Sequence, residues 1–143
     1  MIVSRLLGDK TLDRLGPALT VKLGAYIGGI AWGAAILIAV PLSDSHPLLA
    51  LIIINFGFAA VGFGIGPMFP AFILAAGATP GVAPSVAIAR VGVIGIAGYF
   101  FGPTLTGLIS ELTSLPVALF FPIVMLFLSG YLSRTIHTDK DRS

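Results

Sequence analysis

The chain is predicted to be an all-α membrane protein with about four transmembrane helices, and three observations carry that prediction. The first is composition: 57% of the 143 residues are apolar and only 10% charged, with a mean hydropathy of +1.05. A soluble domain carries about 25% charged residues, so there is too little charge here to cover a water-facing surface. The second is continuity. No Asp, Glu, Lys or Arg occurs in residues 23–43, 45–89, 91–110 or 112–133, and a spanning helix needs about 20 such residues. The third is where the charges gather. Residues 4–17, "SRLLGDKTLDRLGP", hold five of the fourteen charged side chains.

Residues 1–7 are too short to cross a bilayer and too short for the apolar region of a secretory signal, and no cleavage pattern precedes Gly8. Residues 1–19 therefore read as a helix stub followed by a polar loop. The first span is predicted over about 20–40, bounded by Pro41 and the polar "PLSDSHP" loop. The second runs from 47 to 76, about 45 Å of helix and too long for one straight span. Pro67 and Pro70 are expected to kink or end it late, since proline removes a backbone donor and crowds the preceding turn. "GATPGVAP" makes a tight loop before a third span over 83–109. The fourth covers 115–133, where Thr113 or Ser114 is placed to cap a helix with Pro116 in its first turn. Residues 134–143 form a polar tail.

Basic residues near span ends set orientation. Arg5, Lys10, Arg14 and Lys22 precede or open the first span, and Arg134, Lys140 and Arg142 follow the fourth. Four spans put both termini on one side, and the opposite loops contain only Asp44, His46 and Glu111 as ionisable residues. Both termini are thus expected in the cytoplasm, with the chain in the cell (inner or plasma) membrane.

In lipid, helices associate by close backbone approach, so small residues collect at their contacts. At 100° per residue, Gly24, Gly28, Ala31 and Ala35 share one face of the first span. Asn55, Ala59, Gly62 and Gly66 share a face of the second, and Gly92, Gly95, Gly98 and Gly102 a face of the third. These stripes are expected to pack; the alternative is that glycine is simply frequent in membrane helices.

Arg90 is the charge that falls inside a predicted span, a functional candidate by default. Eleven Leu, Ile, Val or Phe residues between 83 and 109 at about 0.3–0.6 kcal/mol each offset its insertion cost of about 3 kcal/mol. It has three readings: a cation lining a solute cavity, a side chain snorkelling to the headgroups, or half of a structural ion pair. Asn55 is suited equally to an interhelical hydrogen bond and to substrate contact. Tyr99 and Trp32 lie mid-span, away from the interfaces where such rings gather, which fits stacking in a cavity or plain packing. An enzyme is not expected. His46 and His137 lie far apart in sequence and on opposite predicted sides, and no catalytic set, metal cluster or phosphate-cradling loop can be assembled. No cofactor, metal or nucleic-acid partner is expected; the partners are the lipid bilayer, other membrane helices and a small-molecule solute.

The charged opening stretch resembles the cytoplasmic loop motif of the major facilitator superfamily: a Gly, then Asp-Arg, then Gly and a basic pair, between helices two and three, with a weaker copy between helices eight and nine. The resemblance implies a gating motif made of Gly8, Asp9, Asp13, Arg14 and Gly16. Asp13 is then the acid of a clamp that holds the bundle in one access state, Arg14 its basic neighbour and Gly16 the turn. Asp9 stands where the first Gly is usual and Pro17-Ala18 replaces the basic pair, a pattern closer to the second copy. "GYFFGPTLTG", with Gly98, Gly102 and Pro103, is similar to the Gly-x-x-x-Gly-Pro segment of the fifth helix, whose pseudo-symmetric counterpart is the eleventh. Thr106 replaces one glycine of its terminal pair, so antiport is not implied. "GFGIGPMFPAFILAAG" resembles the tenth helix of the sugar-permease-like branch.

On that resemblance the four spans are helices nine to twelve, and the chain is the C-terminal portion of a secondary-active transporter. Such carriers alternate access between two six-helix bundles with solute held between them. The N-terminal bundle is then a missing partner, and the chain is not expected to transport alone. The alternative is a self-standing four-helix membrane protein with an assembly or regulatory role.

Overall fold

A computed structural model describes residues 2–136 of the chain, and side chains from residue 15 onward. Six α-helices and one 3-10 turn make up the described residues: α1 (Ile2–Leu42), α2 (Pro47–Ile65), α3 (Met68–Gly77), α4 (Pro84–Leu112), α5 (Leu115–Ala118), α6 (Phe121–Leu132) and the turn Ser133–Thr135. They compose four helical segments long and apolar enough to cross a bilayer: Leu15–Leu42, Pro47–Gly77, Pro84–Leu112 and Leu115–Thr135. This is an all-α, multi-pass membrane architecture.

Prolines lie beside the helix breaks. Residues 8–15, expected as loop, are helical, and the turn is concentrated at one residue. Gly16 takes φ 77°, ψ 168°, a region open essentially to glycine alone. Pro17 then restarts the helix, its missing N–H falling where a first-turn donor has no intrahelical acceptor, and the Thr20 hydroxyl donates to the Gly16 carbonyl at 2.7 Å. Between α2 and α3, Pro67 interrupts the backbone ladder. The Gly66 N–H still bonds to Gly62 O at 3.0 Å, and the ladder resumes with Ala71 N–H to Pro67 O at 3.2 Å. The last span breaks between α5 and α6, just before Pro122. Pro103, by contrast, lies inside an uninterrupted α4. Neither predicted cap forms through its side chain: Ser114 makes no capping hydrogen bond, and the Thr113 hydroxyl turns back to Ile109 O at 2.6 Å.

The first span is the centre of the structure. Along its most apolar stretch 44% is buried, against 11%, 6% and 22% for the following three. It packs most extensively on α2 and also on α6 and α3, whereas α4 packs on α3 and α5. Two apolar clusters hold the helices around it. Val21 and Ala25 meet Met68 and Ala71, and Trp32, Ala35 and Ile36 meet Ile123.

The closest approach is between α1 and α2. A Cβ added to Gly64 would lie 2.6 Å from the Gly24 carbonyl oxygen, and one added to Gly24 would collide with the Gly64 carbonyl. Farther along, a Cβ on Gly28 would stand 3.7 Å from the Val61 Cα, and one on Gly57 would strike Ala35. The α2 side of this seam is therefore Gly57, Val61 and Gly64. The stripe expected there, Asn55, Ala59, Gly62 and Gly66, looks away from α1: all four residues are exposed. The reason is phase. Two small-residue stripes run along the same helix, and α1 docks on the one whose bare backbone meets its own glycines. A Cβ on Gly92, Gly98 or Gly102 of α4 likewise meets nothing within 4 Å, and Gly95 alone of that stripe faces a neighbour, Phe69. Pro103 is exposed on the same helix. The expected contacts of these residues are absent among the described residues because α4 packs chiefly on α3 and α5, and these positions meet neither.

Candidate functional site

Beyond the break at Pro67, α3 lies beside α4, and a cleft runs between the two helices. The helices meet at two places, where Gly77 admits the Ile88 side chain and Gly95 admits the Phe69 ring, 3.6 and 3.7 Å from where a Cβ would stand. Beside these contacts lies a cavity of about 1230 Å³, lined by Met68, Phe69 and Phe72 from α3 and by Val91 and Ile94 from α4. Loop residues Thr79 and Pro80 and the chain's Thr135 and Ile136 close its end. The volume exceeds the roughly 300–1,000 Å³ of drug-sized pockets, so a small molecule would fill only part of it.

Arg90 lines this cleft. It lies six residues into α4, about 9 Å along the helix, and forms no ion pair among the described residues. The carboxylates whose side chains are described, Asp44 and Glu111, are remote in sequence. Glu111 is 21 positions farther along the same helix, about 32 Å away. Arg90 is exposed in this structure, and its guanidinium offers five donors beside a lining made mostly of hydrocarbon, which suits a planar anion with an apolar body.

The other sequence candidates lie elsewhere. Trp32 is 4% exposed in the α1 core, its ring 4.3 Å from that of Phe58. Its indole N–H donates to the Leu119 carbonyl at 3.1 Å. That carbonyl is available because Ile123 N–H bonds to Phe120 O instead, also at 3.1 Å, so the tryptophan closes the gap at the α5–α6 break. Asn55 is exposed on α2 and donates within its own helix, to Leu51 O at 2.8 Å. Tyr99 is 81% exposed and meets its neighbour Phe100 edge-on. Thr104 and Thr106 bond to Phe100 O and Gly102 O on their own helix, both at 3.0 Å. Of the four cavity candidates only Arg90 reaches the cleft. Phe69, Phe72 and Met68 were not legible as site residues, because an apolar residue in an apolar span carries no mark of which face will be left open. The side chains of Gly8, Asp9, Asp13 and Arg14 lie outside the described residues, as does the tail 137–143.

No protein-family model matches the chain, and no solved structure matches it. A curated protein does: an uncharacterized MFS-type transporter of Yersinia pestis is 36% identical over 118 residues. Over that stretch the chain is similar to a transporter of the major facilitator type. The aligned region takes in 82% of this chain but only 28% of the Yersinia protein, so the chain spans little more than a quarter of its relative. The match agrees with the four apolar spans, and it bears on most of the chain rather than on any one motif.

Proposed function

We propose that this chain is the C-terminal part of a secondary-active transporter for a small solute, one side of a carrier that alternates access between two helical bundles. The observation that carries the reading is coverage. The second, third and fourth spans are only 11%, 6% and 22% buried along their most apolar stretches, and the aligned relative is more than three times as long as the matched region. Faces such as Gly98–Gly102 on α4, which meet nothing here, are then the seats of other helices of the carrier, and the chain alone does not move solute. In this reading both termini are cytoplasmic in the cell membrane. Asp13 and Arg14 form the cytoplasmic latch at the hinge that Gly16 makes, and the Arg90 cleft faces solute. Trp32 serves the core.

A chimera tests this. The matched segment of the Yersinia relative is replaced by this chain, and uptake is measured in proteoliposomes over a panel of labelled sugars, amino acids and carboxylates. The chimera is expected to move whichever solute the native relative moves, while the chain alone moves none. Saturable uptake by the chain alone, or an inserted but inactive chimera beside an active relative, overturns the proposal.

A further inference from the structure

The α3–α4 cleft joins two properties that point to one ligand class. Its walls are apolar, with Met68, Phe69, Phe72 and Ile94 among them. One cation, Arg90, faces it with no ion pair among the described residues. Arg90 is exposed and so open to a ligand, and a guanidinium pairs best with a planar carboxylate in a two-pronged arrangement. We propose that the cleft binds an amphipathic monocarboxylate, its head on Arg90 and its hydrocarbon body along Phe69 and Ile94.

The inference rests on the transport reading only for the ligand's fate; binding itself requires nothing beyond this chain. A neutral apolar molecule would gain nothing from Arg90. A sugar would leave the ring-and-hydrocarbon wall facing hydroxyls that it cannot satisfy. The length of the apolar wall sets the ligand's minimum. Arg90 to Ile94 is one helical turn, about 6 Å, so a short acid such as acetate could not touch both.

The chain is placed in phosphatidylcholine nanodiscs with a photoactivatable ten-carbon carboxylate carrying a diazirine at its tail, and labelled peptides are identified by mass spectrometry. Labelling is expected on the segments that contain Phe69 and Ile94, suppressed by excess decanoate and not by decanol. Arg90→Gln is expected to raise the decanoate concentration for half-suppression by about tenfold or more, and Arg90→Lys by less. Gly95→Leu, which keeps the charge but fills the apolar wall beside Phe69, is expected to abolish labelling. Trp32 fluorescence, remote from the cleft, reports whether each variant is folded. Equal suppression by decanol, unchanged behaviour of a folded Arg90→Gln, or suppression by phosphatidylglycerol as strong as by decanoate overturns the proposal, the last by assigning the cleft to a lipid headgroup. Because the readout is binding, it separates from the chimera: loss of labelling with intact uptake removes only this inference.

Discussion

The α1–α2 seam makes the sharpest prediction, because two glycines there touch backbone to backbone. Gly64→Ala places a carbon 2.6 Å from Gly24 O and 3.3 Å from Gly28 N. A carbon–oxygen contact needs roughly 3.3 Å, so the helices must part by about 0.7 Å. A gap of that size forfeits a quarter to a half of each dispersion contact along the crossing. With on the order of 40 such atom pairs at about 0.15 kcal/mol each, as many as one buried leucine makes, the loss is about 1.5–3 kcal/mol. Alanine's better helix propensity returns about 0.5–1 kcal/mol, leaving a net destabilisation of about 1–2 kcal/mol. Gly62→Ala is the control: its Cβ meets nothing within 4 Å, so only the propensity gain of about 0.5–1 kcal/mol remains. Both variants are unfolded in mixed micelles by rising dodecyl sulfate fraction and followed through the single tryptophan, Trp32. The midpoint should fall for Gly64→Ala and hold or rise for Gly62→Ala. Equal midpoints refute the reasoning, since they would mean that α1 does not dock on the Gly57–Val61–Gly64 face.

Three further outcomes follow from the same geometry. Trp32→Phe removes the donor to Leu119 O and should destabilise the chain by about 1–2 kcal/mol, measured by circular dichroism because the fluorophore is gone. Gly16→Ala forces a side chain into φ 77°, ψ 168° and should cost about 1–3 kcal/mol, with no steric share because nothing lies within 4 Å; Trp32 fluorescence against dodecyl sulfate reads it. The chain has no cysteine, so single variants report topology directly. An impermeant maleimide should label Thr79→Cys only in inverted vesicles and Ser45→Cys only in intact cells.

Much of this protein was legible before any coordinates. The charge-free runs require water exclusion over four stretches long enough to cross a bilayer, and that is a property of composition, not of packing. Pro67 marks a helix break, as a missing N–H acts locally, but Pro70, expected to act with it, lies within α3, and Pro103 lies within α4, so a proline alone does not decide a break. The likeness to the Yersinia protein also resides in the linear order of residues.

Tertiary structure decided the rest. Glycine spacing offers two faces on α2, one through Gly62 and Gly66 and one through Gly57 and Gly64, and both satisfy a small-residue rule. Only the meeting of two surfaces selects between them, since close approach depends on what the opposite backbone presents. Trp32 could not be told from a cavity ring until Leu119 O appeared within reach of its indole N–H. Arg90 acquires a cleft only where α3 lies beside α4 and sets Phe69 and Phe72 along the same cavity. Burial in a membrane chain cannot be read from hydropathy, because lipid and protein interior are equally apolar and a side chain facing either satisfies the same pattern.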